Sequence, residues 1–185
     1  MNYKETLYFV AKCLTISVEK HNRDEIELVL KKKDLDWETV LKVSTRHYVF
    51  PALYCNFKRT DFLKYLPTDL VEYMKHITNL NRERNEEIIK QARQLNKLLV
   101  VNNITPIFLK GTGNLLAGIY DDIAERMVGD IDFIFSKEIK KTSICTTRFI
   151  YVLIFCLFYI RSSRFKSCFN TFATYRPCLA ANPGI

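Results

Sequence analysis

The chain has 185 residues, 48% of them apolar, which suits one globular domain or two small ones with a substantial core. Its net charge of +8 is uneven: residues 1–138 carry 21 basic and 20 acidic residues, while seven basic residues and no acid follow Glu138. A nearly neutral body argues against nucleic acid as a partner, and six cysteines without a C-x-x-C pair or zinc-finger spacing argue against a zinc module.

Residues 3–18 read as a first helix, with apolar positions at Leu7, Val10, Ala11, Leu14 and Ile16. Asp24 is placed to cap a second helix bearing Ile26, Leu28, Val29 and Leu30. Asp36 is placed to cap a third, with Trp37, Val40, Leu41 and Val43 on its inner face. Pro51 suits the first turn of a short fourth helix. The longest helical pattern runs over roughly 68–102. Leu70, Met74 and Ile77 form one stripe, and Ile88, Ala92, Leu95 and Leu99 continue it. Between them Asn81–Glu87 is almost wholly polar, which predicts a solvated or bent middle. Glu86 and Lys90 are spaced for an i,i+4 ion pair. Asn102 and Asn103 suit a helix stop, and Pro106 suits the start of a strand.

The stretch 107–135 carries the chemistry. Ile107–Leu109 suit a buried strand. Lys110, Gly111, Thr112 and Gly113 break it as a glycine turn, and Asn114–Tyr120 can form a helix. Asp130 and Asp132 open a second strand. Two residues apart, they project to one face and leave Ile131, Phe133 and Phe135 to the opposite, core face. Neighbouring carboxylates can hold one or two Mg²⁺ ions, and a glycine turn at a helix start can cradle a phosphate. Arg126, four residues before Asp130, can reach a phosphate or pair with an aspartate. Each motif is weak alone. Asp34 and Asp36 repeat the Asp-apolar-Asp triplet at a helix cap, and the Lys110–Gly113 turn is neither a P-loop nor G-x-G-x-x-G. Their order along the chain suggests a site for a metal-bound nucleotide.

From Thr142 onward the chain is rich in Cys, Phe, Tyr, Ser and Arg. Phe149–Ile160 is twelve apolar residues in a row, short of the about 17–25 that span a bilayer. A buried segment, a membrane-associating anchor and an out-of-frame extension compete here; the abrupt change of composition and the loss of any period favour the last. The N-terminus has no signal-peptide order, so a reducing cytoplasm with free thiols, and no membrane partner, is expected.

Lys110 and Gly111, an apolar helix closing on Tyr120, then Arg126 and the Asp130–Asp132 triplet resemble the uncharacterised nucleotidyltransferase family of the polymerase-β-like superfamily. The preceding helical region is also similar, with His47 ahead of Pro51 and Leu53, and the likeness covers roughly residues 5–138. It implies an α+β fold: a helical region over 1–103, a partial polymerase-β-like nucleotidyltransferase sheet unit over 104–138, and an atypical tail over 139–185. It implies Mg²⁺-dependent transfer of a nucleoside monophosphate from an NTP. By this resemblance Asp130 and Asp132 bind the two Mg²⁺ ions and carry catalysis. Gly111, Thr112 and Gly113 approach the triphosphate through backbone N–H groups, and Lys110 and Arg126 neutralise its charge. The partner is a nucleotide, and the acceptor is left open among protein, small molecule and RNA end. The superfamily also needs a third carboxylate on a later strand. No acid follows Glu138, so a truncated form, weakly active or inactive, is expected. The alternative is a non-catalytic helical interaction module built on 68–102.

Overall fold

Six helices and a two-stranded antiparallel sheet make up residues 2–135, the part of the chain described by the computed structural model, and the fold is α+β. The helices are α1 (Tyr3–Cys13), α2 (Lys20–Lys31), α3 (Trp37–Arg46), α4 (Phe50–Arg59), α5 (Thr68–Val101) and α6 (Lys110–Leu116). Strand β1 (Pro106–Phe108) pairs with β2 (Phe133–Phe135), with Ile107 opposite Ile134. The helices and the sheet belong to one compact unit, Met1–Ser136. The apolar run 149–160 and the rest of the tail lie outside the described residues.

Local chemistry sets the helix ends. At α1 the Asn2 side chain accepts from Glu5 N at 2.9 Å, and Glu5 accepts from Asn2 N in return, a reciprocal capping box. Asp36 caps α3 as expected, accepting from Thr39 N at 3.1 Å. Asp36→Ala should cost about 1 kcal/mol in urea denaturation, the usual worth of an N-cap. Pro51 lies in the first turn of α4. α5 closes on a left-handed Asn103 (φ 58°), with Ile104 N donating to Leu99 O and Asn103 N to Val100 O, both at 2.9 Å. This pair of bonds satisfies carbonyls that the helix end would orphan, and Ile104 and Leu99 are both buried beside them.

Several expectations are corrected. α1 ends at Cys13 rather than near 18, and its buried face is Thr6, Phe9, Val10 and Cys13, while Ala11 is exposed. Asp24 lies inside α2, which starts at Lys20 because the chain already reverses at Thr15–Glu19, where Glu19 N donates to Thr15 O. Ile26 and Leu30 are buried on α2, but Leu28 is 63% exposed. Lys90 pairs with Glu87 at 3.2 Å, not with Glu86. Ile107 and Phe135 are exposed rather than core: Ile107 lies with its partner Ile134 on the open face of the ladder, and Phe135 is the last residue of β2, opposite Pro106 at the ladder's end.

The largest correction concerns α5. Its middle is not a solvated break. Leu70, Met74, Thr78, Asn81, Asn85, Ile88, Ala92 and Leu99 are buried along one stripe of three- and four-residue steps. The polar stretch therefore keeps one face inside, and that face is made of asparagines.

No helix among the described residues is long and apolar enough to cross a membrane.

Candidate nucleotide site

The site is assembled on α5. Apart from one 3-10 turn at Ile123–Glu125 the chain as far as Gly129 is irregular, so its carbonyls have no ladder or α-helix partner and must be met by side chains. α5 supplies the donors. Asn81 Nδ2 donates to Ala124 O at 2.7 Å and to Arg126 O at 3.1 Å. Asn85 Nδ2 donates to Ile123 O at 2.5 Å and to Arg126 O at 2.7 Å. Arg84 Nε donates to Val128 O at 2.9 Å, and its Nη2 to Gly129 O at 3.1 Å.

Ionic contacts hold the start of this loop. Arg82 forks onto Asp122, Nη2 to Oδ2 at 2.6 Å and Nε to Oδ1 at 3.2 Å. Asp122 Oδ1 also accepts from Ala124 N at 2.9 Å, capping a single 3-10 turn at Ile123–Glu125. From α4, Arg59 reaches Glu125 and lies 3.4 Å from Asp121. Cys55 stands 3.9 Å from Asp122 Oδ2; burial, and then that carboxylate, push its thiol up to about 12, so it stays protonated as a weak donor.

The glycine turn and the aspartate segment meet through three contacts. Leu109 N donates to Asp132 O at 2.9 Å. Thr112 Oγ1 donates to Asp130 O at 2.8 Å. Lys110 Nζ stands 3.2 Å from Asp132 Oδ1. Asp130 is exposed and Asp132 half-buried, and both precede β2, which starts at Phe133. Ile131, between them, packs against a cluster of Ile88, Leu115 and Val128, so α5 and α6 support the aspartates from beneath.

The turn itself differs from its expected form. The helix begins at Lys110 instead of Asn114 and stops at Leu116, followed by a left-handed Gly118 (φ 67°), so Tyr120 lies outside it. Lys110 has φ 49°, an uncommon conformation for a residue with a side chain. Gly111 and Gly113 have packing reasons to be glycine. A β-carbon on Gly111 would lie 2.9 Å from Val128 Cγ2, and one on Gly113 only 2.6 Å from Phe108 O. Gly113 N donates to Leu109 O at 2.9 Å, which leaves the N–H groups of the first three helical positions as the helix's orphan donors. Thr112 is buried with its hydroxyl committed to Asp130 O, whereas the side chain of Lys110 is 71% exposed. Arg126 is exposed while its carbonyl is held by two amides.

The donor set suits Mg²⁺ in one specific way. Among the described residues no group of three or more His, Cys, Asp or Glu side chains gathers to hold a metal. Mg²⁺ at nucleotide sites, however, is commonly held by one or two carboxylates plus substrate phosphates, and Asp130 and Asp132 offer that number.

Sequence reasoning missed Asn81, Asn85, Arg82, Arg84, Arg59 and Asp122. A signal was present for the asparagines: both fall on the stripe that runs from Leu70 to Leu99.

A family described as uncharacterised nucleotidyltransferase matches residues 33–142, more than half of the chain. Comparison with the curated proteins and with the solved structures finds no match.

Proposed function

The chain belongs to the uncharacterised nucleotidyltransferase family, and from that premise we propose that residues 107–135 bind a Mg²⁺–NTP complex for transfer of its nucleoside monophosphate. The observation that carries this reading is the triple contact of turn and aspartates: Leu109 N to Asp132 O, Thr112 Oγ1 to Asp130 O, and Lys110 Nζ to Asp132 Oδ1. Residues well separated in sequence, by 18 for Thr112 and Asp130 and by 22 for Lys110 and Asp132, are brought together with two carboxylates, a cation and a helix start in one place.

In this reading Asp130 and Asp132 hold Mg²⁺, which supplies charge stabilisation for the attacking and leaving oxygens when bound. Phosphoryl transfer asks the protein mainly for positioning and electrostatics. Lys110, on an exposed and movable side chain, leaves Asp132 for the triphosphate. Arg126 adds a second positive charge. Gly111 and Thr112 offer the phosphates the orphan backbone N–H groups of the helix start, whereas the N–H of Gly113 is committed to Leu109 O. The acceptor class is open among protein, small molecule and RNA end, and the cytoplasm is the expected compartment. Among the described residues no third carboxylate joins Asp130 and Asp132, so transfer by these residues alone is slow or absent.

The test uses each of the four α-labelled NTPs with Mg²⁺, on the chain and on Asp130→Ala/Asp132→Ala. The expected result is Mg²⁺-dependent NTP binding that the double variant loses, with transfer at or near background. Robust transfer abolished by the double variant would overturn the inactive reading. A chain with no affinity for any Mg²⁺–NTP would sink the whole reading in favour of a non-catalytic helical interaction module.

A further inference from the structure

α5 buries Leu70, Met74, Ile88, Ala92 and Leu99 on the stripe that also holds Thr78, Asn81 and Asn85. The Thr78 hydroxyl returns to its own helix, donating to Met74 O at 2.7 Å. Asn81 and Asn85 instead reach out of the helix, and the one acceptor they share is the carbonyl of Arg126. Asn85 is fully buried, and its Oδ1 has no partner. With Nδ2 facing two carbonyls, the amide cannot flip without losing both bonds, so the orphan oxygen is the cost of that geometry. Breaks in a local pattern that cost stability concentrate where function needs them.

We propose that Asn85, with Asn81 beside it, is a positioning residue for Arg126: the two amides fix the Arg126 backbone so that its exposed guanidinium is presented to the nucleotide phosphates. The inference rests on the nucleotidyltransferase reading. It makes α5 the element that sets the reach of the phosphate-binding cation. The Arg84 bonds to the Val128 and Gly129 carbonyls extend the same hold toward Asp130.

The experiment is calorimetric titration of the full chain with Mg²⁺ and each of the four NTPs, at a temperature where every variant is folded. Asn85→Ala and the milder Asn81→Ala should each lower affinity roughly 10-fold, the usual scale for removing a supporting hydrogen bond. Arg126→Ala should also lower it, and adding Asn85→Ala to Arg126→Ala should cost little more. A core variant of matched stability, Phe57→Leu, should keep wild-type affinity. Additive losses in the double variant, or an equal loss in the core variant, would overturn the proposal. Amide hydrogen exchange gives a readout without nucleotide. Asn85→Ala should speed exchange selectively over 123–129, whereas a uniform change or none overturns the proposal. If the wild-type chain binds no NTP, the nucleotidyltransferase reading falls, and the exchange result alone decides whether Asn85 positions the Arg126 segment.

Discussion

Gly113→Ala is expected to lower stability by about 1–3 kcal/mol, the typical cost of forcing atoms into filled space. Helix propensity alone predicts the opposite sign, a gain of roughly 0.5–1 kcal/mol for Gly→Ala inside a helix. Geometry decides between them. The new β-carbon would stand 2.6 Å from Phe108 O and 3.0 Å from its carbonyl carbon, and both atoms are backbone of β1. A strand backbone cannot swing aside as a side chain can, so α6 must move away from the sheet. That movement pulls on the Lys110–Asp132 and Thr112–Asp130 contacts, so NTP affinity should fall together with stability. Gly111→Ala meets the Val128 side chain, which can adjust, and should cost less. Gly129→Ala meets nothing within 4 Å and should stay within about 0.5 kcal/mol of wild type. Urea denaturation of the three variants gives the ranking. A Gly113→Ala protein as stable as wild type would mean that α6 does not approach β1 this closely.

The glycines show how a sequence signal can be correct in place and incomplete in cause. Two glycines after an apolar run marked the strand-to-helix junction, and the junction is there. An ordinary strand-to-helix turn and phosphate approach were the reasons the sequence suggested for them. Close packing of Gly111 on Val128 and of Gly113 on Phe108 is a further reason, visible only once the chain is folded.

α5 was legible as a helix from its apolar steps, and its length came within a residue of the observed span. The burial of its middle was not. Polar residues in a helix are ordinarily solvated, so Asn81–Glu87 looked like an outward-facing stretch. The reversal has a physical source in the irregular Ile123–Gly129 segment. Its carbonyls need donors, and amide and guanidinium side chains on α5 are the groups that meet them. The demand originates about 40 residues downstream of the supply, and local pattern cannot connect the two. The same holds for Asp122, which carried no motif at all and yet anchors the loop.

Asp122→Ala is therefore the substitution with the widest consequences for the loop. It removes a forked pair with Arg82, the cap on Ala124 N and the acceptor facing Cys55. Both partners of the ion pair keep nearly a third of their side-chain surface in water, so the loss is less than for a fully buried pair. The expected cost is about 1–3 kcal/mol. Its dependence on pH identifies the carboxylate as the cause. Burial alone would raise the Asp122 carboxyl, but the hydrogen bond from Arg82, the one from Ala124 N and the nearby positive charges outweigh it and hold it below the usual carboxylate range. A group depressed in the folded state stabilises the fold above its unfolded value, near 3.9, and loses that contribution as pH falls through its folded value. The stability gap between wild type and Asp122→Ala should therefore be constant from neutral pH down to about 5 and shrink progressively below about 4. Added salt should narrow it modestly, because the pair is partly exposed. Urea denaturation at pH 7, 5 and 3 measures the gap directly; an undiminished gap at pH 3 would assign the effect to lost packing rather than to the charge. Because Asp122 opens the segment that Asn81 and Asn85 hold at Arg126, hydrogen exchange in Asp122→Ala should quicken first at Ile123–Glu125, before any change in α1 or α3.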